Sequence, residues 1–149
     1  MMEKNDFNKK SIIFSLLTIG IIALSIRFYF EPQTALTGDA TNYFVYAADT
    51  SLKGKLSDEY FLANSGWSIF LSVIFSMTQL NDPLFLMELQ RSASIFISVF
   101  TIIPVYFLCR KFFNSHYSLV GATLFLFEPH AVINSTLGIT ESIYLFLGI

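Results

Sequence analysis

Two acidic residues stand where a carboxylate could do chemistry. Asp39 follows Gly38 in the polar stretch after the first apolar run, and Glu141 lies between two later apolar runs. A carboxylate there could take the proton of an acceptor hydroxyl as a general base, and Glu141 could also position an acceptor, coordinate a metal or hold a cation. Each has a structural alternative. Asp is a favoured N-cap, and Thr140-Glu141-Ser142 is a good helix start.

Three further ionisable residues lie within apolar segments. Arg91 stands in the first two turns of an apolar run, where its guanidinium could bind a phosphate bidentately or pair with Glu88 on the same helix face. Glu128 and His130 flank Pro129. Intramembrane ionisable groups are functional candidates, but these two could instead satisfy carbonyls that the proline leaves free.

Other chemical signals are few. Asp58-Glu59 is an alternative loop carboxylate, although Lys53 and Lys55 nearby favour a solvated turn. The sequence contains no Cys/His cluster with zinc spacing, no phosphate-cradling glycine loop and no recognisable Ser-His-Asp set. A divalent metal is possible but not required, and the cofactor stays unknown.

The composition indicates the environment in which these residues work. The 149 residues are 54% hydrophobic and 13% charged, against about 25% charged in soluble domains. One cysteine excludes a disulfide framework, and a net charge of -2 gives no basic surface for nucleic acid. We therefore expect an all-α integral membrane protein, with the lipid bilayer as its solvent, in a plasma membrane or the endoplasmic reticulum.

The apolar runs predict three full transmembrane helices and the start of a fourth. Lys9 and Lys10 precede the first run, which places the N-terminus in the cytoplasm, and Arg27 near its far end is expected to snorkel to the interface. The predicted segments are 1–11 cytoplasmic, 12–30 first span, 31–83 external loop, 84–109 second span, 110–116 cytoplasmic, 117–134 third span, 135–141 external loop and 142–149 start of the fourth span.

The external loop is predicted to carry interfacial helices. From Gly38, the helical period places Tyr43, Tyr46 and Ala47 on one face, as in an amphipathic helix lying along a membrane. Residues 67–80 are apolar but short for a span. If they do not cross, Arg110 and Lys111 join the cytoplasmic lysines, and Asp39 and Glu141 share the external side. The alternative topology, in which 67–80 crosses, stays open.

The last apolar run implies that the chain continues. Eight residues rise only about 12 Å as a helix, and an apolar half-helix cannot end stably in mid-bilayer with unpaired carbonyls. We therefore expect the sequence to be the N-terminal part of a longer membrane protein.

Short motifs follow one another along the whole chain: Gly38-Asp39-Ala40 with Tyr43 and Ala47, Ser65-Gly66-Trp67, Arg91-Ser92, Cys109-Arg110-Lys111-Phe112-Phe113, Pro129, and Ser135-Thr136-Leu137-Gly138-Ile139-Thr140-Glu141-Ser142. In this order they resemble the GT-C glycosyltransferases, polytopic enzymes that take sugars from polyprenyl-phosphate carriers. The closest pattern is the protein-mannosyltransferase and aminoarabinose-transferase branch. The chain differs from many members at Ala40, where they have a second acidic residue.

The resemblance implies a fold, an activity and roles for particular residues. It implies inverting transfer of a hexose such as mannose from a polyprenyl or dolichyl monophosphate to a protein or glycolipid acceptor on the extracytoplasmic face. Asp39 matches the proposed catalytic base, and Glu141 matches the acidic residue of the second external loop. Arg91, Tyr43 and His130 are the candidate substrate-binding residues. By itself, this part of the enzyme is expected to be inactive.

Two other functions fit the same composition. One is a non-catalytic multi-span subunit or scaffold that binds lipid or a partner membrane protein. The other is part of a transporter, with Glu128 and His130 as an intramembrane relay.

Overall fold

The structure, a computed structural model, describes residues 9–32, 34–36, 38–56, 66–78 and 82–149. In these ranges all regular structure is helical, with no strand. The alternative loop carboxylates Asp58 and Glu59 lie outside the described residues. The helices are α1 Lys9–Tyr29, α2 Asp39–Lys53, α3 Gly66–Met77, α4 Pro83–Phe100, α5 Ile102–Arg110, α6 Ser115–Leu126, α7 Pro129–Thr136 and α8 Glu141–Gly148.

Two helices are long and apolar enough to cross a membrane. They are α1, with 21 residues, and the rod Pro83–Arg110 formed by α4 and α5, with 28 residues. Thr101 joins α4 to α5 in helical conformation and donates its hydroxyl to the carbonyl of Ile97 at 3.0 Å. Pro104 has no N–H for the carbonyl of Phe100. This missing hydrogen bond explains why the helix is interrupted at Thr101, although α4 and α5 continue as one rod.

The predicted third span is not one continuous helix. α6 ends at Leu126, and Glu128 is extended, with φ -60° and ψ 127°. Proline disfavours the helical conformation of the residue before it, so Pro129 ends one helix and starts the next. The Glu128 carboxylate then caps α7 by accepting from the N–H of Ala131 at 2.7 Å. At 12 residues, α6 alone is about 18 Å long.

α2 and α3 pack against each other and form the first hydrophobic core. The predicted amphipathic helix is present as α2, and the short apolar segment after it is α3. Trp67 is 2% exposed and Leu71 is fully buried between the two helices. The core cluster comprises Leu36, Ala40, Phe44, Ala47, Trp67, Leu71, Phe75 and Leu86. Since Leu86 belongs to the first turns of α4, this core also packs the α2–α3 pair against the start of the long rod.

A second core holds the bundle of α1, α4, α5 and α6 together. Its buried residues are Ala23, Val99, Ile102, Val105, Tyr106, Ala122 and Leu126. α8 lies along α4. The Ser142 and Ser94 hydroxyls are 2.9 Å apart, and four residues before each of them Gln90 donates to the carbonyl of Gly138 at 2.7 Å. Because the contacts advance in the same order along α4 and along the segment from Gly138 into α8, α8 runs parallel to α4.

Candidate functional site

The side-chain amide of Gln90 joins the beginnings of two helices. Gln90 is fully buried on α4, and its Nε2 donates to the carbonyl of Ala40 at 3.0 Å and to that of Gly138 at 2.7 Å. The indole N–H of Trp67 donates to the same Gly138 carbonyl at 3.1 Å. We call this arrangement the Gln90 junction. It connects the first turn of α2 to the loop that leads into α8.

Asp39 lies at the edge of this junction with an unengaged carboxylate. It is the first residue of α2 and is exposed. The N-cap is Gly38, with φ 57°, and it makes no side-chain capping bond, so the interpretation of Asp39 as the N-cap is wrong. Among the described residues, the Asp39 carboxylate has no hydrogen bond or ion pair. A carboxylate not engaged in capping can receive a proton from a bound hydroxyl.

Tyr43 lies one turn further along α2. Its side chain is half-buried against the first core, and its carbonyl accepts the hydroxyl of Ser68 at 3.1 Å. The structure therefore gives Tyr43 a packing role between α2 and α3. Its predicted contact with substrate stays a prediction.

Glu141 and His130 line one groove between α7 and α8. This α7–α8 groove has a volume of about 320 Å³ and is also lined by Glu128, Asn134 and Tyr144. Glu141 starts α8 and is exposed, whereas the carboxylate of Glu128 is engaged in capping α7. The bend at Pro129 brings His130 to Glu141, which lies eleven residues further on. An imidazole and a free carboxylate facing one groove can hydrogen-bond the hydroxyl groups of an acceptor.

Arg91 lines a separate cavity between the end of α1 and the first turns of α4. This Arg91 cavity has a volume of about 430 Å³ and is also lined by Glu31, Thr34 and Glu88. Arg91 is 5% exposed, and its Nη2 donates to the carbonyl of Thr34. The alternative pairing with Glu88 is wrong, because no ion pair joins these two residues. Neither Asp39 nor Glu141 lines this cavity.

Among the described residues that line the Arg91 cavity, Glu31 and Glu88 are acidic and Arg91 is the one cation. Burial raises the pKa of the Glu31 carboxyl, the Arg91 guanidinium lowers it by less, and the charge of Glu88 adds to the rise. The charged form of Glu31 is therefore disfavoured by loss of water. A cation entering the cavity would stabilise that charged form.

Arg27 was expected to snorkel to the interface, and this expectation is wrong. Its side chain is fully buried. Its Nη2 donates to the carbonyl of Leu126 at 2.8 Å and to the Ser98 hydroxyl at 3.3 Å, and its Nε donates to the Ser135 hydroxyl at 3.0 Å. The guanidinium thus binds the broken end of α6, where Leu126 has lost its helical donor. It ties α1, α4, α6 and α7 together.

Sequence reasoning missed Gln90, Trp67 and Gly138 as partners. A buried amide inside an apolar run was the available signal, because a buried polar group needs partners. The glycine at position 138, between two apolar runs, was the second sequence signal, because glycine favours a turn with positive φ. The structure gives Gly138 a φ of 73°. Neither signal names the partner.

Gly138→Ala is expected to loosen the Gln90 junction. A Cβ at this position would lie 3.2 Å from Cγ of Gln90, and the positive φ adds about 1–2 kcal/mol of backbone strain. We expect a loss of about 2–3 kcal/mol in the free energy of unfolding, from strain and overpacking together. Thermal unfolding of the detergent-purified protein measures it.

Gly54→Ala is the matched control for that experiment. Gly54 has φ 64°, but no atom of the described residues lies within 4 Å of its would-be Cβ, so Gly54→Ala introduces the backbone strain without the contact. We expect it to lose about 1 kcal/mol. Equal losses in the two variants would mean that the contact with Gln90 has no energetic weight.

Comparisons with protein-family models, with curated proteins and with solved structures give no match to this chain. Within the described ranges, no three His, Cys, Asp or Glu side chains are grouped so that they could hold a metal ion. Three places in the molecule are therefore the candidate functional sites: the Gln90 junction with Asp39, the α7–α8 groove and the Arg91 cavity.

Proposed function

We propose that this chain belongs to a membrane glycosyltransferase that moves a hexose from a polyprenyl monophosphate to an acceptor hydroxyl on the external face. The observation that carries the proposal is the Gln90 junction. It holds the start of α2, with the unengaged carboxylate of Asp39, against the loop that leads to Glu141. Two exposed acids on adjoining helix starts fit a reaction that needs one proton acceptor and one group to orient the acceptor.

The proposed reaction is a single displacement with inversion. Asp39 takes the proton of the acceptor hydroxyl while that oxygen bonds to the anomeric carbon. The bond between this carbon and the phosphate oxygen breaks on the opposite side, and the lipid phosphate leaves with the electron pair. Glu141 and His130 orient the acceptor from the α7–α8 groove. A role for Arg91 in binding the donor phosphate stays a prediction, because Asp39 does not line its cavity.

The proposal includes a membrane arrangement. α1, the α4–α5 rod and the α6–α7 pair would cross the bilayer, and α8 would begin a fourth crossing parallel to α4. The N-terminus and the α5–α6 turn would then be cytoplasmic. α2, α3 and the start of α8 would lie on the external side, where a polyprenyl-linked sugar is presented.

Thiol labelling tests this arrangement. In a Cys109→Ser background, which removes the sole cysteine, Asp39→Cys and Glu141→Cys are expected to react with an impermeant maleimide in intact cells. Phe112→Cys, at a residue 76% exposed in the α5–α6 turn, is the matched control and should react only after permeabilisation. Protection at position 39 or 141, or labelling at 112 in intact cells, would contradict the topology.

A transfer assay tests the activity. Membranes are prepared from cells that lack the gene and from cells in which the gene is restored. Both receive radiolabelled polyprenyl-phosphate hexoses, beginning with the mannose donor. We expect label to enter protein or glycolipid only in the restored membranes. If none of these donors gives transfer while the restored protein is present and correctly inserted, the enzyme proposal fails and a non-catalytic subunit is favoured.

A further inference from the structure

Two cavities follow one another along the seam between α1 and α4. The Arg91 cavity lies where the seam begins, and an apolar groove of about 420 Å³ follows it between α1 and the α4–α5 rod. Ser92 lines the first and Phe96, one helical turn later, lines the second. The rings of Phe28 and Phe96, with centroids 5.9 Å apart, cross the seam between them. A polar cavity followed by an apolar groove has the form of a lipid site.

The polar end contains an unsatisfied buried donor. Arg91 is 5% exposed, and its Nε–H has no hydrogen-bond partner in the described part of the chain, while Nη2 donates to the carbonyl of Thr34. A buried guanidinium donor without a partner costs free energy that an incoming anionic oxygen would recover. The anionic part of a ligand therefore belongs on Arg91.

The same cavity holds two carboxylates, Glu31 and Glu88. A simple anion would meet one cation and two negative charges there. A ligand with one negative and one positive group would instead satisfy Arg91 and at least one carboxylate together. Because carboxylates accept hydrogen bonds, a primary ammonium with three N–H donors fits them better than a trimethylammonium.

The apolar groove has the length of one bilayer leaflet. It is lined by Gly20, Leu24, Phe96, Val99, Phe100 and Phe107 among others. From Phe96 to Phe107 the rod rises about 16 Å, and half of the hydrocarbon core is about 15 Å. An acyl chain starting below the Arg91 cavity would lie along this groove.

We propose that the seam between α1 and the α4–α5 rod binds a phospholipid with a zwitterionic, primary-amine headgroup, of the phosphatidylethanolamine class. The phosphate meets Arg91, the ammonium meets Glu31 and Glu88, and one acyl chain occupies the groove. The site uses neither Asp39 nor Glu141, so it does not depend on the proposed transferase activity.

The test measures binding of defined lipids to the detergent-purified full chain. The probes are dihexanoyl phosphatidylethanolamine, phosphatidylcholine and phosphatidylglycerol, together with free phosphoethanolamine, each titrated calorimetrically. We expect phosphatidylethanolamine to bind at least tenfold more tightly than the other two lipids and than free phosphoethanolamine. Equally tight binding of phosphatidylglycerol would show that the site does not require a zwitterionic headgroup. Equally tight binding of free phosphoethanolamine would show that the ligand is soluble and not a lipid. If none of the four probes binds, the proposed site is wrong.

Three variants locate the binding. Glu88→Gln changes an exposed side chain, keeps the fold and is expected to lower phosphatidylethanolamine affinity about threefold to tenfold, with Lys55→Gln as the unaffected control. Gly20→Leu projects into the groove, since among the described residues a Cβ there meets Cγ1 of Val99 alone, at 3.7 Å. It should weaken binding of the lipid but not of free phosphoethanolamine. Arg91→Gln should abolish the preference. Unchanged lipid affinity in the folded Glu88→Gln and Gly20→Leu proteins would overturn the proposal.

Discussion

Asp39→Asn is expected to lower sugar transfer by about 10²–10⁴-fold, the contribution of a positioned general base. The amide keeps nearly the same shape and cannot take the proton of the acceptor hydroxyl. Asp39 starts α2 without capping it, so the helix should form as before. The loss should therefore appear in kcat, with KM for the lipid donor little changed. Initial rates with a polyprenyl-phosphate hexose in restored membranes measure both.

Asp49→Asn is the matched control on the same helix. Asp49 forms an ion pair with Lys53 at 2.9 Å, with both side chains partly exposed, and an i,i+4 helix pair is worth about 0.3–0.5 kcal/mol. We expect transfer within twofold of the unchanged protein. Normal transfer by Asp39→Asn would show that Asp39 is not the base. Equal loss in both variants would assign the effect to α2 as a whole.

Arg27→Leu is expected to destabilise the fold by about 2–4 kcal/mol. The substitution removes the guanidinium that donates to the carbonyl of Leu126 and to the hydroxyls of Ser98 and Ser135. A buried acceptor left without a partner costs about 1–3 kcal/mol, and the shorter side chain leaves space behind it. The loss is partly offset because a buried guanidinium is itself costly to desolvate. Unfolding in detergent should shift down by roughly 6–12 °C.

Two further variants separate charge from geometry. Arg27→Lys keeps the charge but replaces the planar fork by a point cation, so we expect about half of the loss. Lys111→Leu removes an exposed cation at the α5–α6 turn and should change stability by less than 0.5 kcal/mol. If Arg27→Leu were as stable as the unchanged protein, desolvation of the guanidinium would outweigh its hydrogen bonds, and the bundle would not depend on it.

The sequence by itself determined the local elements. Low charge and long apolar runs predicted an all-helical chain, and α1 and the α4–α5 rod lie where those runs were found. Helical periodicity after Gly38 predicted α2, and Thr140-Glu141-Ser142 predicted the start of α8. The prediction of one span over residues 117–134 does not include the break at Pro129, yet this break also has a local cause. Periodicity, proline and side-chain apolarity act within a few residues of the chain.

Only the tertiary structure decided which polar groups meet. Arg27 bonds Ser135 across 108 residues of sequence, and Gln90 bonds Ala40 across 50. The same packing gave the Arg91 guanidinium the carbonyl of Thr34 as its partner in place of Glu88, and it brought His130 and Glu141 to one groove. A buried donor must find an acceptor, but which acceptor depends on how helices pack in three dimensions. The sequence therefore identified polar residues within apolar segments that need partners, and the packing of the helices decided which groups those partners are.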